Sequence, residues 1–329
     1  MTKILTMSSK GLAEAVSLFK GGEVVAFPTE TVYGLGADAT NDIAVAKIFK
    51  AKGRPNFNPL ISHVENLKAA KTYAEFDERA ELLAQTFWPG PLTLVLKRKD
   101  KSPISKLVSA GLNTIALRVP GHPVAQLLLK QMDVPIAAPS ANASGKLSPT
   151  TPQHVMDSLG GQIQAVIAGG KCDVGLESTV IDLSGEKPIL LRPGSITHEV
   201  IEKLIGKTQI SIEAKEGEQP KSPGQLLRHY APKAKLRLQA VDVKRGEALL
   251  GFGDMRFMAV GEGGFAKDLY ETRYQNLSVT GDLVEAAANL FDMLHKLDLG
   301  AYATIAVMDI PDVGLGVAIN DRLRRATKG

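Results

Sequence analysis

Apolar positions in the N-terminal part of the chain follow two different periods. Leu12, Val16 and Phe19 lie three or four residues apart, which predicts an amphipathic helix. Asn41 has the side chain of an N-cap and opens a second helix that leads to Lys52. Short apolar runs bounded by turn residues predict strands at 23–27, 92–96, 114–119, 135–138, 165–168, 177–182 and 189–194, with further helices at 77–87, 152–159 and from a Ser195 cap to 204.

The order of these elements indicates the fold class. Some neighbouring strands are separated by a helix and others only by a turn, and this irregular alternation favours an α/β fold with a twisted mixed sheet flanked by helices. From Leu236 onward, a new series of elements predicts a second, smaller α/β domain of Rossmann-like type, with strands at 236–241, 248–251, 256–260 and 304–308 and helices at 283–297 and 315–325.

The two series are joined by a stretch without a regular period. From Gln219 to Lys235 this stretch carries three prolines and no acidic residue, so we expect it to be stiffer than a flexible tether. We therefore divide the chain into a first domain at 1–206, a linker at 207–235 and a second domain at 236–329.

Composition excludes several classes of protein. Of 329 residues, 44% are hydrophobic and 22% are charged, as in an ordinary soluble protein, and no apolar stretch is long enough to cross a bilayer. Aromatic residues make up 5%, too few for a platform that stacks single-stranded bases, whereas a net charge of +4 permits a polyanionic partner. The single cysteine, Cys172, excludes a disulfide framework and a cysteine metal cluster, which fits a reducing compartment. We expect a cytoplasmic protein.

The segment from Lys52 to His63 is the first candidate binding element. Lys52 and Arg54 are followed by Pro55 and Pro59, which stop the preceding helix and stiffen the backbone. We expect both cations on an exposed loop, where a planar guanidinium and a compact ammonium suit one polyanion such as a triphosphate. Taken alone, the pair is better explained as two solvated surface cations, and the other polar segments of the chain change that balance.

A second candidate lies on the strand predicted at 114–119. Thr114 and Arg118 share one face of this strand by its period of two. A buried arginine needs an anionic partner, and the sequence leaves open whether that partner is a ligand or a structural carboxylate. The chain contains no Walker A motif, no Gly-x-Ser-x-Gly elbow and no His-Glu-x-x-His motif, and no activating pair lies beside Cys172. A protein nucleophile is therefore not predicted.

Six polar blocks, taken in chain order, resemble one family. They are PTETVYGLG at 28–36, KGRPNFNPLISH at 52–63, WPGPLTL at 88–94, LRVP at 117–120 with His122-Pro123, PSANASG at 139–145 and ESTVID at 177–182. Together they resemble the YrdC-like catalytic domain of the threonylcarbamoyl-AMP synthases, over about residues 2–206. Ser222-Pro223-Gly224 and RHYAP at 228–232 resemble the linker of the family's long form, although Gln225-Leu226-Leu227 departs from that pattern. Residues 236–329 resemble its C-terminal domain.

The resemblance implies a nucleotidyltransferase. Such an enzyme converts L-threonine, bicarbonate and ATP into threonylcarbamoyl-AMP and pyrophosphate, and its product feeds the N6-threonylcarbamoylation of a tRNA adenosine by a downstream transferase machinery. The carboxylated substrate is itself the nucleophile, which agrees with the lack of a nucleophilic motif. The resemblance also implies Mg²⁺ bound with ATP and no metal held by protein side chains. Weak direct binding of tRNA is a further expectation.

The resemblance also carries functional roles to matching positions of this chain. It implies catalytic roles for Lys52, Arg54, Ser140 and Asn142. It implies an ATP site formed by these four residues with Asn58, Thr114, Ser148, Arg192 and Tyr230. It implies a threonine site formed by Thr31, His63, Arg118, Ala138 and Ser178. We expect the linker to act as a lid with Tyr230 over the nucleotide, and the alternative is a plain spacer.

Two other functions are compatible with parts of the sequence. A module that binds tRNA or double-stranded RNA without catalysis would show salt-sensitive binding and no ATP turnover. A carbamoyl transferase of the hydrogenase-maturation type would need accessory zinc motifs, which a chain with one cysteine lacks.

Overall fold

Two compact units make up the chain. The computed structural model describes residues 1–55, 57–213, 220–225, 229–254, 258–261, 264–265, 273–300 and 302–328. The first unit consists of Met1–Ser144, Ser148–Asp173 and Glu177–Leu226, and the second of Gly145–Leu147, Val174–Leu176 and Leu227–Gly329. The second unit therefore includes two short stretches that are distant from it in sequence.

A mixed sheet forms the centre of the first unit. Its strands are β1 (Lys3–Leu5), β2 (Val25–Phe27), β3 (Gly34–Asp38), β4 (Ile61–His63), β5 (Leu92–Lys97), β6 (Thr114–Arg118), β7 (Ile136–Ala137), β8 (Ala165–Ile167), β9 (Thr179–Asp182), β10 (Ile189–Arg192) and β11 (Gln209–Ile210). They lie in the order β1-β8-β2-β3-β7-β4-β6-β5-β9-β10-β11. Strands β4 and β6 are parallel whereas β5 and β6 are antiparallel, so the predicted mixed sheet is confirmed.

Helices pack on both faces of this sheet. They are α1 (Ser9–Lys20), α2 (Asp42–Lys52), α3 (Leu67–Tyr73), α4 (Glu78–Phe87), α5 (Pro123–Met132), α6 (Pro152–Leu159) and α7 (His198–Ile205). Val25 and Phe27 of β2 belong to the apolar core that contains α1 and α5, and Ala26 belongs to the core that contains α2. Successive strand residues point to opposite faces, so one strand contributes to both cores.

Helices α2, α4 and α6 begin within one residue of the predicted positions, whereas α3 and α5 were not predicted. The side chain of Asn41 accepts from the amides of Ile43 and Ala44 at the start of α2. The predicted cap of α7 at Ser195 is wrong, because the N-cap is Thr197. Oγ1 of Thr179 donates to the carbonyl oxygen of Ile196 at 2.7 Å and accepts from its amide at 3.1 Å, which ties up the backbone after Ser195.

The second unit contains a parallel sheet, a smaller sheet and two long helices. Its elements are β12 (Lys235–Arg237), β13 (Asp242–Val243), β14 (Ala248–Gly251), β15 (Ala259–Val260), β16 (Gly264–Phe265), β17 (Tyr274–Asn276), α8 (Leu283–Leu299), β18 (Thr304–Val307) and α9 (Leu315–Ala326). The sheets have the orders β12-β18-β14-β17, all parallel, and β13-β15-β16.

In the second domain the long helices were predicted correctly, whereas several short strands were not predicted. Helices α8 and α9 begin at the predicted residues, whereas β13, β16 and β17 were not predicted because two or three residues show no period. Of the strand predicted at 256–260, residues 256–257 lie outside the described residues. Within the described ranges, no helix is long and apolar enough to span a membrane.

Candidate active site

Lys52 is the last residue of α2, and its side chain contacts the PSANASG loop. Gly53 ends the helix in the left-handed region (φ 58°), which glycine adopts without strain. Nζ of Lys52 donates to the carbonyl oxygen of Ser140 at 2.6 Å and also to that of Asn142. In return, the amide of Ser144 donates to the carbonyl oxygen of Lys52 at 2.8 Å. Two of the six polar blocks are thus joined directly.

Arg54 lies beside Lys52, and neither cation is exposed. Their exposed fractions are 7% and 4%, so the expectation of an exposed loop and the explanation of two solvated surface cations are both wrong. Nη2 of Arg54 donates to the carbonyl oxygen of Pro59 at 3.0 Å, and Nε donates to that of Asn58 at 3.3 Å. The loop therefore folds back over the guanidinium.

Two buried cations side by side have an electrostatic consequence. Burial, and after it the charge of Arg54, hold the pKa of Lys52 well below its usual value. An anion bound beside Lys52 and Arg54 would offset their mutual repulsion. This arrangement suits the binding of phosphate groups, on which a negative charge is shared by several oxygens.

The PTETVYGLG loop is paired with the PSANASG loop through the backbone. The amide of Ala141 donates to the carbonyl oxygen of Tyr33 at 2.8 Å, and Gly34 forms an antiparallel bridge with Ser140. Because Ser140 also accepts from Lys52, three of the blocks meet at this residue.

Arg118 ends β6 and forms a buried ion pair with Glu30. Nη2 of Arg118 donates to Oε1 of Glu30 at 2.6 Å, and Nε donates to the carbonyl oxygen of Gly90 at 3.3 Å. Burial, the largest influence, raises the pKa of the Glu30 carboxyl, but the charge and hydrogen bond of Arg118, together with backbone hydrogen bonds, outweigh it and the pKa is lowered. Of the two partners that the sequence left open, a structural carboxylate is therefore present.

His63 lies beside Arg118 at the end of the neighbouring strand. It pairs in register with Arg118 on β6 and with Ile136 on β7. Burial, and after it the charge of Arg118, lower the pKa of His63 to about 3, so the ring is neutral at physiological pH. Its Nδ1 is buried and has no hydrogen-bond partner among the described residues. The amide of Ala138, the residue after β7, donates to the carbonyl oxygen of Ile61 at 2.9 Å.

Ser178, just before β9, connects two predicted subsites. Its Oγ lies 2.7 Å from Oγ1 of Thr93 and accepts from Nη2 of Arg192 at 3.0 Å. Nε of Arg192 donates to the carbonyl oxygen of Ser178 at 3.0 Å, and Nη1 donates to that of Pro223 at 3.4 Å. A predicted threonine contact and a predicted ATP contact are thus in direct contact with each other, and Arg192 also contacts the linker.

Thr31 and Ser148 are fully buried hydroxyl residues of the polar loops. Oγ1 of Thr31 lies 2.8 Å from Oγ1 of Thr29. Oγ of Ser148 donates to the carboxylate of Glu177. Both hydroxyls are therefore held in place by protein partners.

Two predicted ATP contacts lie apart from the Arg118 ion pair. Thr114 begins β6 and Arg118 ends it, so they are separated by roughly 13 Å along the strand. Asn58, in the Arg54 loop, is buried, and its Oδ1 has no hydrogen-bond partner within the described part of the chain. Asn58 thus groups with Lys52 and Arg54, whereas Thr114 is not brought to either group by a side-chain hydrogen bond between described residues.

Tyr230 belongs to the second unit and is 1% exposed. Its ring centroid lies 5.5 Å from that of Phe291, and Cζ of Arg322 lies 5.5 Å from the Tyr230 centroid. The amide of Ala231 donates to the carbonyl oxygen of Gly145, the last residue of PSANASG, at 2.8 Å. The other predicted site residues belong to the first unit, so the nucleotide contact of Tyr230 stays a prediction, and Arg228 lies outside the described residues.

Three residues of the site were not predicted as site residues. Glu30, Thr93 and Glu177 contact Arg118, Ser178 and Ser148 respectively. Each lies inside one of the six polar blocks. The sequence could therefore have indicated them, had every polar residue of a block been taken as a candidate.

The single thiol of the chain is not activated as a nucleophile. Burial raises the pKa of Cys172 to about 12, which makes its thiol a poor nucleophile at neutral pH. In the described ranges, no group of three His, Cys, Asp or Glu side chains could hold a metal ion.

Comparisons with known proteins agree with this arrangement. A family model of the Sua5–YciO–YrdC proteins, described as telomere recombination, matches residues 17–194, and a model described as the C-terminal domain of threonylcarbamoyl-AMP synthase matches residues 196–327. A threonylcarbamoyl-AMP synthase of Pyrococcus abyssi is 42% identical over 95% of this chain and 93% of its own length. One of Bacillus subtilis is 40% identical over 100% of this chain and 96% of its own.

A solved structure extends the likeness to the fold. The crystal structure of Pyrococcus abyssi Sua5 complexed with L-threonine has a TM-score of 0.86 and 37% identity, and covers 100% of this chain and 98% of that one. The mixed sheet and its paired polar loops are those of a YrdC-like catalytic domain. The chain belongs to the Sua5–YciO–YrdC family, in the two-domain form that carries the C-terminal domain of threonylcarbamoyl-AMP synthase.

Proposed function

We infer that this chain is an L-threonylcarbamoyladenylate synthase, a nucleotidyltransferase that forms threonylcarbamoyl-AMP and pyrophosphate from L-threonine, bicarbonate and ATP. The observation that carries this conclusion is the match, over nearly the whole chain, to two synthases of that name. The fold of a relative crystallised with L-threonine supports it. The product supplies threonylcarbamoylation of tRNA, so a downstream transferase and a cytoplasmic location follow as predictions.

The threonine subsite is proposed to lie at the ends of β4, β6 and β9. Arg118 would bind the α-carboxylate of threonine, because a guanidinium matches a carboxylate with two parallel hydrogen bonds. The neutral ring of His63 and the hydroxyls of Thr31 and Ser178 would contact the remaining polar groups of threonine. The buried Nδ1 of His63, which lacks a partner among the described residues, supports this assignment.

The phosphate subsite is proposed to lie at Lys52 and Arg54. Threonine first condenses with bicarbonate, with loss of water, to give its N-carboxylate. An oxygen of the N-carboxylate then attacks the α-phosphorus of ATP. The bond between the α-phosphorus and the oxygen that bridges it to the β-phosphorus breaks, and pyrophosphate leaves with the electron pair of that bond. Lys52 and Arg54 would stabilise the charge that accumulates on the phosphate oxygens, and Ser140 and Asn142 would position them.

Magnesium is proposed to enter with the nucleotide. The described residues hold no group of three His, Cys, Asp or Glu side chains suited to a metal, so phosphate oxygens are the expected ligands. Bound there, Mg²⁺ would neutralise part of the phosphate charge. The protein's own contribution is the pair of cations at Lys52 and Arg54.

The linker is proposed to act as a lid. Oε1 of Gln225 accepts from the amides of Lys221 and Ser222 at 2.7 and 3.1 Å, so the residue that departs from the family pattern holds this turn. The bond from Arg192 to Pro223 ties the same turn to Ser178. The position of this turn, at residues 220–225, supports a closing role over a mixed anhydride that water would hydrolyse.

The direct test is pyrophosphate release by the purified full-length protein supplied with L-threonine, bicarbonate, ATP and Mg²⁺. We expect release that requires threonine and bicarbonate, together with a threonylcarbamoyl-AMP product identified by mass. L-Valine is the matched control, because it replaces the threonine hydroxyl by a methyl group. Release that is equal with and without threonine, or no release at all, would contradict the proposed function.

A further inference from the structure

Glu30 is a buried carboxylate beside the proposed threonine contacts. Its side chain is 13% exposed and that of its partner Arg118 is 4% exposed. Removing two charges from water offsets most of their attraction, so a buried ion pair by itself adds little net stability. The pair therefore calls for another explanation, and its geometry supplies one.

The guanidinium of Arg118 is bonded to protein along one edge. Of its five N–H donors, Nε donates to Gly90 and one N–H of Nη2 donates to Glu30. Both N–H groups of Nη1 and the second of Nη2 make no hydrogen bond to the described residues. These donors lie at the end of the guanidinium plane, where two parallel bonds to one carboxylate are geometrically favoured.

Both oxygens of Glu30 are engaged by the protein. Oε1 accepts from Arg118 at 2.6 Å, and Oε2 accepts from the amide of Gly121 at 2.9 Å. Gly121 lies three residues after Arg118, so the carboxylate is anchored to the same stretch of chain that carries the guanidinium. Glu30 is therefore placed to fix the rotation of Arg118 and not to contact a substrate itself.

We propose that Glu30 is a positioning residue that holds Arg118 with the end of its guanidinium directed at the α-carboxylate of threonine. The inference rests on the proposed function, since it takes Arg118 as the carboxylate contact. Glu30 has two opposing effects on the binding of the threonine carboxylate. It fixes the orientation of Arg118, which favours binding, and it offsets the charge of Arg118, which weakens binding. Of the two effects, the fixed orientation of Arg118 is the larger.

Glu30→Gln tests this in the full-length protein by steady-state pyrophosphate release. Gln keeps the size of Glu and an oxygen for the Gly121 amide, but it loses the charge that holds Arg118. We expect the KM for threonine to rise about tenfold to a hundredfold, while the KM for ATP and kcat at saturating threonine change less than about threefold. An unchanged or lower KM for threonine, or an equal rise in both KM values, would overturn the proposal.

Glu23→Gln is the matched control. It removes a carboxylate from the partly exposed pair between Glu23 and Lys47, whose atoms lie 2.8 Å apart. A partly exposed pair outside the proposed subsites contributes little, so all three kinetic constants should stay near wild-type values. A rise in the threonine KM of this variant as large as that of Glu30→Gln would remove the specificity of the result and overturn the inference.

L-Threoninol separates positioning from a general structural role. This analogue has an alcohol in place of the α-carboxylate, so its inhibition constant against threonine should be the same in wild type and Glu30→Gln. If the inhibition constant rises as much as the threonine KM, Glu30 supports the whole site and the proposal is wrong. Should Glu30→Gln fail to fold, Glu30→Asp takes its place under the same criteria.

The two levels of inference can fail separately. If the wild-type protein releases no threonine-dependent pyrophosphate, the proposed function fails. If it does and Glu30→Gln keeps the wild-type KM for threonine, only the role of Glu30 fails.

Discussion

Each unit contains a cluster of buried charge, and the two clusters are built differently. In the second unit, one carboxylate of α9 serves two guanidiniums of the same helix: Asp321 accepts from Arg322 and from Arg325, each at 2.9 Å. The partners are one and four residues away, so the cluster is local. The ring of Tyr230 lies on Arg322 and adds a cation–π contact.

In the first unit, the buried pair joins residues that are 88 positions apart, Glu30 and Arg118. Beside it lies His63, whose Nδ1 has no partner among the described residues. Nearby on the chain, Lys52 is buried against two carbonyl oxygens with Arg54 as its charged neighbour. The comparison teaches that buried charge alone does not indicate a binding site. Buried charge that the fold brings together from distant parts of the chain, beside an acceptor such as Nδ1 of His63, is a better indication, because no single helix explains it.

The largest expected effect is on the two buried cations of the first unit. Lys52→Ala and Arg54→Ala should each lower the rate of pyrophosphate release by a factor on the order of 10³, because charge on the phosphates would lose its stabilisation. Since both side chains are buried, the free energy of unfolding should also fall, by about 1–2 kcal/mol. Lys50→Ala, from the exposed side of α2, is the control, and wild-type turnover in either site variant would refute the phosphate assignment.

The local cluster of the second unit should behave in the opposite way. Asp321→Ala leaves two guanidiniums without their shared carboxylate and should lower the free energy of unfolding by about 3 kcal/mol. At temperatures where the variant is folded, its KM for threonine should equal that of the wild type. Chemical denaturation and steady-state kinetics check the two statements. A threonine KM that changes with the stability would show that the contrast between the units is false.

The histidine beside the ion pair should make stability depend on pH. The pKa of His63 is near 6.5 in the unfolded state, and burial lowers it to about 3 in the folded state. Between these pH values the unfolded state therefore binds more protons. The free energy of unfolding therefore falls as the pH drops below 6.5, and at pH 5 it is lower by about 2 kcal/mol than at neutral pH. Urea unfolding of wild type and His63→Gln at several pH values isolates this contribution, because only the wild type carries it. Parallel curves for the two proteins would rule it out.

The smallest expected effect separates the two hydroxyls of the threonine subsite. Thr31→Val should raise the KM for threonine about tenfold and leave the KM for ATP nearly unchanged. The substitution removes the Thr31 hydroxyl, so a polar group of the bound threonine loses its hydrogen-bond partner. Ser178→Ala should raise both KM values, since the Ser178 hydroxyl also accepts from Arg192. Equal changes in both KM values of Thr31→Val would show that Thr31 is not a threonine contact.

The sequence by itself determined the elements whose signals are local. Helix α6 occupies the predicted residues Pro152–Leu159, and Asn41 caps α2 as expected. Both depend on side chains within one turn of the backbone that they stabilise, so no knowledge of the rest of the fold is needed. The mixed character of the sheet followed in the same way from the order of strands, helices and turns.

The tertiary structure alone decided which polar groups meet. Thr93 and Ser178 are 85 positions apart and touch because β5 pairs with β9, and Glu30 meets Arg118 because the PTETVYGLG loop packs at the end of β6. A period of two assigns residues to a face of a strand but does not say which strand lies beside it. The burial of Lys52 was mispredicted for the same reason. Its two carbonyl partners lie about ninety residues along the chain, beyond the range of any local pattern.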